Sequence, residues 1–141
     1  MSFSFSPLDN WNEVEVDGQP HWMRAERTNS NYLKLSLNQN MSGKRLEPPL
    51  DLVGVSTHLV GRMEASGRGS TTGQCRVGRY TKTVFESSRL AYGELWVLTD
   101  EYSVGIATFC CDEPPTAEEL DEVAQMVTSM TWPNASGERA R

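Results

Sequence analysis

Leu33, Leu35 and Leu37 alternate with Lys34 and Ser36 in NYLKLSLN, and that period of two predicts a strand with one face in a core. WNEVEV (residues 11–16) alternates in the same way. DGQP then turns the chain and HWMRAER continues it, so the first third reads as short strands joined by turns. Over residues 50–65 the period changes. Leu52, Val55, Leu59 and Met63, with Val60 beside them, follow helical spacing just after Pro48 and Pro49. Gly54 and Gly61 each cost up to about 1 kcal/mol relative to Ala in such a helix, unless they allow close packing. Residues 66–74, SGRGSTTGQ, show no apolar period and read as a polar connector. Their glycines are not followed by the Gly-Lys-Ser/Thr of a phosphate-binding loop.

Three further strands are predicted at residues 75–86, 90–99 and 102–111, joined by the short polar turns ESSR and TDEY as an antiparallel meander. The middle one holds Leu95, Trp96, Val97 and Leu98 in a row, which suits a central strand covered on both faces. In TAEELDEVAQMVTSMTW, Thr116 and Glu119 stand at capping-box spacing after Pro114 and Pro115, with acidic residues crowding the first turns. Leu120, Val123, Ala124, Val127 and Met130 form one apolar stripe, and Pro133 is expected to end the helix. The prediction is an α+β fold: an antiparallel sheet with the mid-chain and C-terminal helices packed on it. One domain covers residues 1–133, and residues 134–141 form a disordered tail.

Composition narrows the function classes. The chain has 141 residues, 38% hydrophobic and 23% charged, enough for one real core. A net charge of -6 argues against nucleic acid and against anionic membranes as partners, because both are bound with a surplus of Lys and Arg. The amino terminus lacks a basic leader, and no apolar run approaches the roughly 18 residues of a membrane span. A cytoplasmic location is therefore expected. Three cysteines without a CxxC do not make a disulfide framework.

No catalytic, cofactor or metal residue is assigned. His21 and His58 are far apart in sequence, and no HxH, HExxH or Cys/His cluster offers ligand spacing. Cys110 and Cys111 are neighbours in an expected strand, so they point to opposite faces and are expected to be reduced and dispensable. Neither GxSxG nor SxxK marks a nucleophile. Charge is distributed unevenly. Residues 100–122 hold eight acidic and no basic residues, whereas residues 60–90 hold Arg62, Arg68, Arg76, Arg79, Lys82 and Arg89 against Glu64 and Glu86. The acidic stretch nominates Asp100, Glu101, Glu118, Glu119, Asp121 and Glu122 as protein-contact residues, with a solvated helix start as the plainer reading.

The order of elements resembles the PsbP-like fold, a three-layer α/β/α sandwich found in photosystem extrinsic proteins, a Ran-release factor and bacterial DcrB-like proteins. The resemblance rests on LKLSLN, on GRYTKTVFESSRLAYGELWVLTD and on EELDEVAQMVTSMTW, and spans nearly the whole chain as a hydrophobic pattern rather than as signature side chains. It implies a protein that docks onto others rather than an enzyme. Among cytoplasmic bacterial relatives it points to small dimeric chaperones of type VI secretion effectors. The expected function is then a non-catalytic protein-binding module, such as a secretion-effector accessory chaperone, with an immunity-type toxin inhibitor as the alternative and a small-molecule-binding protein as a weaker one. The partner would be a basic protein or one with apolar segments, and a homodimer fits the resemblance.

Overall fold

The computed structural model describes residues 3–25, 30–40 and 42–133. Seven strands form one sheet: β1 (Trp11–Val16), β2 (Gln19–Arg24), β3 (Tyr32–Asn38), β4 (Ser66–Gln74), β5 (Arg79–Ser87), β6 (Leu90–Thr99) and β7 (Val104–Cys111). Their spatial order is β1-β2-β3-β7-β6-β5-β4, and every pairing is antiparallel. Helix α1 (Leu52–Arg62) packs on one face and α2 (Ala117–Thr128) on the other, giving three layers.

Local chemistry accounts for most of these elements. Asp17 (φ 53°) and Gly18 (φ 78°) both take positive φ between the paired Val16 and Gln19, the geometry that closes a two-residue hairpin in register with strand twist. The second strand stops at Arg24, and the rest of the expected HWMRAER run beyond Ala25 lies outside the described residues. So does the tail expected over residues 134–141. The run at 95–98 alternates between layers. Leu95 and Val97 join the α1-side cluster with Leu52, Val60 and Phe85, while Trp96 and Leu98 join the α2-side cluster with Phe109, Val123 and Met126.

Thr116 caps α2 with both halves of the expected capping box, and Val123, Met126 and Val127 are fully buried. Pro133 does not set the helix end. Ser129 is the C-cap, and Met130 and Trp132 go on into the core in extended chain, where Thr131 pairs with Ser4. Gly105 has no room for a Cβ because the Trp132 ring would stand 2.7 Å from it.

Three further expectations need correction. The polar segment 66–74 is not a connector but the edge strand β4, paired to β5 along its length with a bulge between Gly67 and Gly69. Backbone pairing to an open neighbour holds it, which leaves no hydrophobic period to detect. The following strand begins at Arg79 rather than at 75, because Cys75 and Gly78 close a tight turn by exchanging backbone hydrogen bonds over the buried Val77. In α1 the inward face is centred on Leu52, Ser56 and Val60, with Val55 and Leu59 flanking it, and Met63 is exposed at the C-cap.

A candidate docking groove between the first helix and the sheet edge

The acidic residues nominated from sequence do not converge on one surface. Asp100 is fully buried in the β6–β7 turn. Its Oδ1 accepts from the Tyr102 and Ser103 amides at 2.9 and 2.8 Å, and its Oδ2 accepts from Trp132 Nε1 at 3.2 Å. Glu101 pairs with Arg79, whose guanidinium holds that carboxyl below its ordinary range. Arg79 Nη2 also donates to the Leu50 carbonyl at 2.7 Å, tying the turn to the approach to α1.

At the far end of β7, Glu119 is buried in the capping box and also accepts from Asn31 Nδ2. Glu122 accepts from Asn10 Nδ2 at 2.8 Å and Trp11 Nε1 at 2.9 Å. Glu118 pairs with Arg24 at 2.9 Å but stays exposed, and Asp121 is exposed. The two groups are separated by the length of β7, about 26 Å at 3.3 Å per residue. Asp100 and Glu119 thus serve the fold rather than an open face.

The thiols and histidines are equally committed. Cys110 and Cys111 are buried, free and on opposite faces, and burial pushes both thiols up, away from the thiolate. Tyr32, hydrogen-bonded to Cys110, is pushed up to about 12, chiefly by burial. His21 stacks on Tyr32 with ring centroids 4.5 Å apart, and its buried Nδ1 has no hydrogen-bond partner among the described residues. Burial first, then Lys34, lowers its pKa. His58 lies exposed on α1. Among the described residues no three His, Cys, Asp or Glu side chains gather as a metal site.

One buried carboxylate had not been singled out. Glu94 accepts from Tyr92 Oη at 2.7 Å and Trp96 Nε1 at 3.1 Å, with Lys82 Nζ at 3.9 Å and 5.5 Å above the Trp96 ring. The signal was available: Tyr92, Glu94 and Trp96 stand two apart on a strand and so share a face.

The open ground is on the other side of the sheet. Strand β4 is an edge strand of nine residues, all exposed except Gly73, and no described strand pairs with its outer backbone row. Two clefts lie between it and α1. One, of about 420 Å³, is lined by Leu50, Leu52, Val53, Thr72, Arg79 and Thr81; the other, of about 450 Å³, by Val60, Gly61, Ala65, Gly69, Ser70 and Thr83. The second exists because its walls are short of side chains: a Cβ on Gly61 or Gly69 would meet nothing within 4 Å. Thr83 Oγ1 bonds both Ser56 of α1 and Ser70 of β4, a polar bridge across the floor. Thr81, fully buried below the first cleft, has a hydroxyl without a hydrogen-bond partner among the described residues. Arg62, Arg68, Arg76 and Arg89 are exposed, Arg68 in a pair with Glu86; Arg76 lies in the β4–β5 turn and Arg89 in the β5–β6 turn, at opposite ends of β5.

What the groove offers is geometric rather than catalytic: a row of backbone donors and acceptors with two recesses beside it. Neither nominated nor suspected from sequence, it is built from Gly, Ser and Thr. Among the described residues no helix is long and apolar enough to cross a membrane.

No protein-family model and no curated protein matches this sequence. Among solved structures the chain is similar to the solution structure of cyanobacterial PsbP (CyanoP) from Synechocystis sp. PCC 6803, with a TM-score of 0.56 and 10% identity over 93% of this chain and 92% of that one. At that identity the likeness is one of architecture, and the seven-stranded antiparallel sheet between two helices has the PsbP-like fold.

Proposed function

We propose that the chain is a non-catalytic protein-binding module that receives an extended segment of its partner along β4. The observation that carries this reading is the nine-residue open edge with two clefts beside it. An added strand gains main-chain hydrogen bonds from such an edge, and recesses beside it accept alternate side chains. Natural sheet proteins usually blunt an edge of this length with lysine, proline or inward charges. Here the bulge at Gly67 and Gly69 and a single charge, Arg68, are the protection present.

Of the finer readings, a secretion-effector accessory chaperone draws support from the apolar wall of Leu50, Leu52, Val53, Val60 and Ala65, which suits a partly apolar segment. The immunity-type reading rests on the acidic surface, of which Glu118 and Asp121 remain outward. The test is co-purification from native cells with the wild-type chain and with Ser70→Lys/Thr72→Lys, which places two lysines at exposed edge positions facing α1. Partners lost in the variant, at an equal thermal midpoint, support edge docking. The same partners retained in the variant would move the site elsewhere.

A further inference from the structure

We propose that the first cleft, under the start of α1, is a binding site for a neutral, hydroxyl-rich small molecule of the sugar class. Ser56 of α1 bonds Thr83, and Thr83 bonds Ser70, so these side chains face the α1 layer. Strand alternation turns Thr72 and Gln74 of β4, and Arg79 and Thr81 of β5, to the same side. Above them Leu52 and Val53 open α1, and their amides have no carbonyl one turn back to bind.

An independent observation points to an occupant. Thr81 is wholly buried, lines this cleft, and has a hydroxyl without a hydrogen-bond partner among the described residues. A buried hydroxyl left unpaired is costly, and a ligand oxygen in the cleft supplies the missing partner. At about 420 Å³ the cleft falls within the range of small-molecule sites, about 300–1,000 Å³.

The charges select the class of ligand. Asp51 caps α1 by accepting from the Gly54 amide at 3.1 Å, and its carboxylate lines the same cleft. An anion would meet that carboxylate, and the guanidinium lining the cleft, Arg79, is already paired with Glu101. A cation would meet Arg79 and the positive end of the α1 dipole. A neutral hydroxyl suits both signs, since it donates to a carboxylate and accepts from a helix amide or from Thr81. Leu50, Leu52 and Val53 add an aliphatic wall that matches the C–H face of a sugar ring. Arg79, Thr81 and the α1 start build the site without any segment docked on β4.

The probes are D-glucose, D-galactose and D-mannose, titrated into the millimolar range and read by residue-resolved amide shifts of the intact chain. At least one should saturably shift the amides of Leu52, Val53, Thr72 and Thr81 while those of β1 and α2 stay unmoved. The matching uronate and 2-amino sugar, its anionic and cationic counterparts, should bind about tenfold more weakly. Asp51→Asn keeps a good N-cap without the charge, so the uronate should recover to within about threefold of the neutral sugar. Thr81→Val removes the hydroxyl and should weaken binding about tenfold. The thermal midpoint of the unliganded variant should hold or rise, since no hydrogen bond is lost. The same three sugars are also offered as the end units of an immobilised glycan. Binding there alone would name a glycan as the source and keep the site.

No binding of any of the three, free or immobilised, would overturn the proposal. So would a uronate or amino sugar that binds the wild-type chain as tightly as the neutral one, or a uronate that gains nothing from Asp51→Asn. A lowered midpoint in Thr81→Val would show that an ordered water already satisfies the hydroxyl, and the cleft would then hold solvent alone. Sugar binding unchanged by Thr81→Val would place the sugar elsewhere and overturn the site. Co-purifying partners should stay with Thr81→Val, so edge docking stands or falls apart from this ligand.

Discussion

The two helical layers of this protein differ in what they were built to do. Under α2, Trp96, Phe109, Val123, Met126, Met130 and Trp132 are buried in one large cluster, reinforced by Trp11 and Leu33 from the far strands. Under α1 the cluster is small, and beside it the Ser56–Thr83–Ser70 hydroxyl bridge takes the place of packed carbon. The α2 layer also commits its charges: Glu119 caps, and Glu122 binds Trp11, Asn10 and Arg24. The α1 layer leaves an edge unpaired and two clefts open. A domain of this size needs one dense core for stability, and the second layer is then free to carry a recess. Stability resides on one side of the sheet, and the proposed binding surface lies on the other.

The largest contrast comes from paired substitutions. Val123→Asp puts a charge among fully buried carbon and should cost about 3–5 kcal/mol, the scale of an uncompensated buried charge. Val53→Asp, on an α1 residue that is 45% exposed, should leave the unfolding midpoint nearly unchanged. Comparable losses from the two would erase the asymmetry. Next in size is Glu94→Ala, which strands the Trp96 indole and the Tyr92 hydroxyl and should cost about 1–3 kcal/mol by chemical denaturation. No loss there would mean that the buried network contributes nothing to the α2 side.

A smaller effect has the opposite sign. Glu64 takes a left-handed conformation (φ 57°) after α1, with its amide bonded to Gly61 and that of Ala65 to Val60. Glu64→Gly should therefore stabilise by about 1 kcal/mol, since glycine adopts that conformation without a Cβ clash. A destabilised variant would show that the glutamate side chain holds the end of α1.

The smallest effect is a pH dependence. His21 has a lowered pKa in the fold, so the unfolded chain binds the extra proton first. Stability from this group is present above the ordinary histidine value of 6.5 and declines as pH falls below it. Glu101, whose pKa is also depressed, adds a second decline only as pH drops below 4.5. His21→Phe should flatten the first decline and leave the second. An unchanged slope between pH 6.5 and 5 in that variant would exclude His21 as its source.

Much of the architecture was legible because buried elements leave periodic traces. Residues 90–99 were placed as one strand because a strand covered on both faces must be apolar at every central position, and the observed bounds agree. The α2 start was legible from Thr116 and Glu119 alone. Where burial is slight the trace disappears. Strand β4 buries almost nothing, so Gly, Ser and Thr read as a loop, and the groove formed by their small size was invisible with them. Ser56 faces inward because Thr83 accepts or donates across the layer, a pairing that no single-helix pattern contains. Acidity was legible as composition, but which carboxylates are spent depends on partners such as Trp132 and Asn31, distant in sequence.

The most direct measurement is residue-resolved amide hydrogen exchange on the intact chain under native conditions. If the two layers divide stability and binding, amides of β6, β7 and α2 should exchange only through global unfolding, while α1 and the outward amides of β4 exchange through smaller openings. Adding a partner protein that co-purifies with the chain should then slow exchange selectively in β4. Protection of α1 and β4 equal to that of α2, or slowing by the partner confined to the α2 side, would contradict the account.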